Sequence, residues 1–461
     1  MRKAHLDTVI IGSGPGGYIA AIRASQLGQH VTIIEKGAIG GTCLHSGCIP
    51  SKSLITISKK WADLKKNEAL FGKPGNNRIN FEEFTRLKHS TINKLHSGIK
   101  HLLAKNRITV LEGEAFFSDN SSLTVTDSHG DTHPYSFNHC IIATGSKPRL
   151  LPDLPWSNRI LSSTSALDLK RLPTSISIVG GGYIGVELGC AYANLGVNVT
   201  IIEAQDDILP FLDADIRTHL KKHLVKKGVR LLTGATISEW KEDDESLSIH
   251  VEKKEEAVHL QPEYVIVSAG RVPRSGSLGL HHTDIVVDEN GFIEVDQSLR
   301  TGVPTIFAIG DVIKGAALAH KASYDGKLVA EVISGNKYSV DYKAMPQVIF
   351  SDPEIALTGK TQTEEGIKQS TFPLGANGRA LTMGEEGMVR IYFHEQTGQL
   401  QGAAVIGPHS SEIITEITVA IEAGWTVEDL SLTIHPHPTI SESIMEAAEL
   451  ASGMPVHVSL N

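Results

Sequence analysis

Two stretches of the chain carry the same alternation of apolar runs and glycine turns. In the first, Thr8-Val9-Ile10-Ile11 is a short apolar run of the kind that fills a buried parallel strand. It opens into Gly12-Ser13-Gly14-Pro15-Gly16-Gly17, then a helical pattern over residues 18–27 closed by Gly28, then Val31-Thr32-Ile33-Ile34 ending on Glu35. In the second, residues 176–179 lead into Gly180-Gly181-Gly182-Tyr183-Ile184-Gly185, a helix to Leu195-Gly196, and Val199-Thr200-Ile201-Ile202 ending on Glu203. Further on, residues 55–70 and 81–103 have amphipathic helical spacing, and residues 108–127 break into short strands. Cys140-Ile141-Ile142-Ala143-Thr144-Gly145 and Val265-Ile266-Val267-Ser268-Ala269-Gly270 are apolar strands, each closing on a glycine turn. Beyond Asp341, hydrophobic runs at 389–392 and 400–406 and a long helix at 411–423 indicate a separate α+β domain.

The repeated unit is a β-α-β dinucleotide fingerprint. Its glycines let a pyrophosphate approach backbone N–H groups at a helix N-terminus, and its acid takes a ribose hydroxyl. Strands, helix and acid recur at the same spacing, so two nucleotide sites are expected, with Gly12, Gly14, Gly17 and Glu35 in one and Gly180, Gly182, Gly185 and Glu203 in the other. Glycine turns in an empty sheet would not explain the paired acids. Glu203 would repel a 2′-phosphate, which favours NAD over NADP.

Composition narrows the class. Lys and Arg number 43 against 52 Asp and Glu, a net charge of −9 with no basic block, which argues against a nucleic-acid partner. The basic start Met1-Arg2-Lys3 precedes only Val9-Ile10-Ile11, which ends in glycines and reads as a strand rather than a signal peptide. No apolar run approaches the roughly 18 residues of a membrane span. Four cysteines in 461 residues do not make a secreted disulfide scaffold. A cytoplasmic compartment is expected.

Cys43 and Cys48 stand five positions apart in Gly-Thr-Cys-Leu-His-Ser-Gly-Cys-Ile-Pro-Ser-Lys. On an ideal helix their Cα atoms would lie roughly 8–9 Å apart, too far for a disulfide, so a bridge needs an irregular turn. Gly40, Gly41 and Gly47 allow one. A bond held there is labile, as a working disulfide must be. A pair of ordinary thiols and a Cys43/His45/Cys48 metal corner are the other readings, the second lacking a further ligand pair at zinc spacing. His45 would stabilise a thiolate if its ring faced one. Cys140 and Cys190 read as core residues. Asp311 ends a buried strand and suits either a polyol contact or a turn. His435-Pro436-His437-Pro438-Thr439-Ile440-Ser441-Glu442 places a carboxylate near an imidazole, as a general base requires, although a surface loop fits too.

On these residues the chain resembles the FAD-dependent pyridine nucleotide–disulfide oxidoreductases over essentially its whole length. It is most similar to the branch that oxidises protein-bound dihydrolipoamide with NAD⁺. The resemblance implies two Rossmann-like dinucleotide-binding domains plus a C-terminal α+β dimerisation domain. Its parts would be FAD-binding (1–147), NAD-binding (148–272), central (273–343) and interface (344–461). It implies non-covalent FAD on Glu35, Thr144, Gly145, Asp311 and Ala319, with Gly270 closing the NAD site. Cys48 would lie next to the flavin and Cys43 would exchange with substrate. Lys52 would sit near the reactive flavin nitrogen, Glu187 would stand where nicotinamide meets flavin, and His437 with Glu442 would be the base pair. It implies a homodimer whose partners are lipoyl-bearing domains and the E2 core of a 2-oxo acid dehydrogenase complex, or the glycine cleavage system. No lipoyl-type extension precedes Arg2, so the lipoyl group is expected on another chain.

The chain departs from the family at His45 (commonly Asn), Ser46 (often Val) and Ala316-Ala317 (commonly Pro-Met). Other disulfide reductases are the near alternatives. No cysteine follows Cys190, which opposes mercuric and large thioredoxin reductases, and Glu203 opposes the NADPH of glutathione reductase. A non-catalytic binding subunit would not need Cys43, Cys48, His437 and Glu442 intact.

Overall fold

The computed structural model describes residues 3–72, 79–244, 246–253 and 256–459; Met1 and Arg2 of the basic start lie outside them. The strand Ala4–Ile11 runs parallel to Val31–Glu35 on one side and to Thr132–Ile142 on the other. Thr109–Glu112 extends the sheet beyond Val31–Glu35. Ser122–Thr126 and Glu114–Asp119 extend it antiparallel beyond Thr132–Ile142. Val9, Ile10, Ile33 and Ile141 are fully buried, which is why these strands read as unbroken apolar runs rather than alternating ones. The short strand Ile306–Ala308 pairs with Cys140–Ile142 in the same sheet. The chain therefore leaves this sheet and returns to it.

Between departure and return lies the second copy. Arg230–Thr233, Asn198–Glu203, Ser175–Val179, Tyr264–Val267 and Ile160–Ser162 form one parallel sheet in that order. The two crossings between units, Ser146–Pro148 outward and Arg271–Pro273 back, pair antiparallel as a two-stranded ribbon. Arg149 N–H donates to the Gly270 carbonyl and Arg274 N–H to that of Gly145, closing both ends. The long helix Cys48–Lys66 of the first unit crosses onto the second. Its Leu54 shares a buried cluster with Val186 and Leu188 of the helix Tyr183–Asn194.

The C-terminal part is an antiparallel five-stranded sheet, with Gln347–Ile349, Glu354–Gly359, Leu400–Gly407, Met388–His394 and Ile367–Pro373 in that order. Ser410–Glu422 and Glu442–Ala451 pack on it. Arg390 fastens this sheet to the second unit. Its guanidinium donates to Asp213 at 2.7 Å and to Asp215, and Tyr392 Oη donates to the same Asp213 at 2.5 Å. Among the described residues no helix is long and apolar enough to cross a membrane.

Candidate active site

Cys43 sits on the short helix Gly41–Ser46, and Cys48 is the first residue of the helix Cys48–Lys66. Gly47 breaks the two apart with φ −135° and ψ −104°. This is the irregular turn that the five-residue spacing demands. The cysteine helix starts hard against the first glycine loop. Gly41 has φ +61°, and a Cβ there would come within 2.8 Å of the Gly14 Cα, so only glycine permits the approach. Cys43 and Cys48 are free thiols close enough to share a hydrogen bond between their sulfurs. That bond and the nearby Lys52 ammonium hold the Cys48 thiol below the ordinary thiol range, against burial and Glu187. The same bond, with burial, pushes Cys43 up. Of the pair, Cys48 is the one whose thiolate the surroundings favour.

Lys52, one helical turn beyond Cys48, donates to Glu187 Oε2 at 2.9 Å and lies 4.4 Å from the Phe350 ring centroid. Glu187 is buried, and its other oxygen accepts the Phe350 N–H at 2.9 Å. The first unit, the second unit and the C-terminal sheet thus meet at one carboxylate beside the cysteines. His45 has no part in this. Its Nε2–H donates to the Ile39 carbonyl at 2.8 Å, and its ring stands edge-on to His96.

Cys43, Cys48, Lys52 and Glu187 line a cavity of about 760 Å³ that also reaches Gly12, Gly14, Glu35, Thr144, Gly145, Asp311 and Ala319. That volume suits a large cofactor. Gly17, Gly180, Gly182, Gly185, Glu203 and Gly270 do not line it. The two loops match atom for atom where it matters. A Cβ on Gly17 would fall 1.9 Å from the Gly12 oxygen, and one on Gly185 2.0 Å from the Gly180 oxygen, whereas Gly14 and Gly182 face open space. The space where a Cβ would stand is left for a ligand phosphate. Glu35 accepts from Ser13 N (2.8 Å) and Oγ (2.6 Å); Glu203 accepts from Gly181 N (2.6 Å). Asp311 accepts from Ser146 Oγ at 2.6 Å. These donors, acids and open glycines fit FAD in the cavity and a nicotinamide dinucleotide on the second loop.

His437 and Glu442 do not line the cavity of their own chain. His437 is mostly exposed, and its Nδ1 bonds Glu442 Oε1 at 2.8 Å. Burial raises the Glu442 carboxyl, but the Thr439 N–H (2.7 Å) and His437 more than offset this, and its pKa is lowered. The side chain of nearby His435 is covered, and Glu416 at 2.7 Å raises its pKa.

Sequence reading missed Ser13, buried inside the glycine loop, and Phe350, which nothing in its local pattern marks. It also missed Lys321 and Asp325, whose i,i+4 spacing was the available signal. Their buried pair (2.8 Å) accepts the Gly310 N–H at Asp325 and so anchors the turn that carries Asp311.

Residues 6–326 match the pyridine nucleotide-disulphide oxidoreductase family, and residues 345–448 match its dimerisation domain. The chain belongs to this family of flavin- and nicotinamide-dependent oxidoreductases, and its dimerisation domain supports a homodimer. Among its relatives are proteins named dihydrolipoyl dehydrogenase. That of Geobacillus stearothermophilus is 46% identical, covering 98% of this chain and 97% of the relative. That of Bacillus subtilis is 43% identical with the same coverage. Solved structures of the same fold include LpdA of Mycobacterium tuberculosis, with TM-score 0.88, 27% identity, and 96% and 99% of the two chains covered. An HOCl-induced flavoprotein disulfide reductase of Escherichia coli has TM-score 0.86 and 29% identity, with 96% and 99% covered.

Proposed function

We propose that the chain oxidises protein-bound dihydrolipoamide to lipoamide and reduces NAD⁺ to NADH, the reaction of a dihydrolipoyl dehydrogenase. It does so as a homodimer in the cytoplasm, serving the lipoyl domains and E2 core of a 2-oxo acid dehydrogenase complex. The observation that carries this reading is the asymmetric Cys43/Cys48 pair beside Lys52 and Glu187 in a cofactor-sized cavity.

His437 Nε2, left free for a proton when Glu442 takes Nδ1–H, removes the proton of one substrate thiol. The substrate thiolate attacks Cys43 Sγ of the Cys43–Cys48 disulfide, and Cys48 leaves as a thiolate held by Lys52. The second substrate thiol then displaces Cys43; Cys43 takes up the first proton from His437, His437 takes the proton of the second thiol, and lipoamide leaves. Glu35, Gly14 and Asp311 would hold FAD; Gly182 and Glu203 would hold NAD. Bound FAD supplies the relay that takes the electron pair from the dithiol to NAD⁺. Glu187 fixes Lys52 at the junction of the two sites.

A steady-state assay tests this. Dihydrolipoamide with NAD⁺ should give the highest kcat/KM, well above NADP⁺, and above glutathione disulfide or mercuric ion assayed with either reduced nicotinamide. NADPH-linked glutathione disulfide reduction outrunning the lipoamide reaction would overturn it.

A further inference from the structure

Far along the second unit, His219 and His223 lie one turn apart on the helix Ala214–Lys226 and so project from one face, their ring centroids 4.7 Å apart. Glu386 reaches the same place from the C-terminal part, in the turn between the helix Gly378–Met383 and the strand Met388–His394. One nitrogen or oxygen from each of the three lies within 4.8 Å of the other two. We propose that His219, His223 and Glu386 bind a divalent transition cation of the Zn²⁺ class, tying the second dinucleotide unit to the C-terminal domain.

The tautomer is set for it. His223 Nδ1 bonds the His219 carbonyl at 3.0 Å, and a carbonyl only accepts, so the proton is on Nδ1 and Nε2 of the neutral ring keeps its lone pair. A carbonyl on the far nitrogen is the usual support of a ligating histidine. His219 Nε2 is shut off from solvent and has no hydrogen-bond partner among the described residues. A buried imidazole nitrogen left without a partner is unfavourable, and a bound cation or its water would satisfy it. The frame is already built. Arg390, on the strand that Glu386 precedes, grips Asp213 and Asp215 at the start of the histidine helix. Two imidazoles and one carboxylate with an open position suit zinc or its neighbours, whereas Ca²⁺ and Mg²⁺ call for oxygen ligands throughout.

The test uses tag-free, FAD-loaded, chelator-treated protein, titrated with ZnCl₂ by calorimetry and checked by equilibrium dialysis. The background is Cys43→Ser/Cys48→Ser, which removes the thiols of the cavity as competing ligands. About one equivalent of Zn²⁺ per chain should bind, with a rise in Tm. His223→Ala and Glu386→Gln should each weaken binding by about tenfold or more and abolish the rise. Glu386 is exposed, so its variant leaves the fold intact and keeps the test valid if a histidine variant fails to fold. No Zn²⁺ uptake in this background, or unchanged affinity in either folded variant, would overturn the site.

Discussion

Lys52 stabilises the Cys48 thiolate while its own charge is compensated by Glu187. Reduced protein containing FAD should therefore show a long-wavelength absorption band from the Cys48 thiolate beside the flavin. Cys48→Ser should abolish it and Cys43→Ser keep it; the reverse would exchange the roles of the two sulfurs. The band should titrate below the ordinary thiol pKa of about 8.5. Lys52→Met removes one lowering influence and leaves the Cys43 hydrogen bond to act against burial and Glu187, so the midpoint should move up. A pH titration of the band shows an unchanged midpoint if Lys52 is electrostatically idle. Glu203→Arg should shift relative kcat/KM from NADH towards NADPH, because repulsion of a 2′-phosphate is replaced by attraction; an unaltered ratio would remove Glu203 from the binding site. At this scale the sequence was legible where chemistry restricts residue type, as at the cysteines and acids. It was not legible for His45. Two positions after Cys43, that side chain lies roughly 200° round the helix axis, and only the fold shows that Ile39 and His96 await it there.

The two glycine loops separate folding from binding within a few residues. Gly17 is filled from behind by the Gly12 carbonyl, while Gly14 faces open space. Gly17→Ala should lose about 1–3 kcal/mol of stability even without cofactor, since the added methyl overlaps backbone. Gly14→Ala should fold normally and lose FAD, its methyl standing where a phosphate would come. Thermal melts of apoprotein with flavin retention decide the matter; equal melting losses in both would contradict the division. Such loops are readable because few residues fit them. The meander Ala235–Glu242, Leu247–Lys253 and Glu256–Leu260 was not read, although Leu247, Ile249 and Val251, buried at every second position of its middle strand, were the available signal. The helix Ala214–Lys226 also escaped, since Ile216, Leu220 and Leu224 are its only buried residues, sparse among lysines and histidines.

Within one chain the two ends of the proposed chemistry do not meet. His437 stands outside the cavity, and beside it Leu432 is 75% and Ile434 95% exposed, bare aliphatic surface suited to cover by a second copy. If each site takes its cysteines from one chain and His437 from the other, mixed Cys48→Ser and His437→Ala chains will complement. Random pairing gives about half hybrids, each with one intact site, so roughly a quarter of parental activity should return after reassociation. No recovery in a mixture shown to contain hybrids would place the whole site within one chain.

The ribbon of Ser146–Pro148 and Arg271–Pro273 brings the entrance and exit of the second unit side by side, with Ser146 opposite Pro273. Residues 149–270 are thus a cassette, spliced into a chain whose first sheet closes again when Ile306–Ala308 meets Cys140–Ile142. A unit entered and left at one point can be exchanged without rethreading its host. The same seam offers itself to domain grafting, and a foreign cassette would need to keep Glu187 and the apolar seat beneath Leu54 for the cysteine helix, with Asp213 and Asp215 for Arg390.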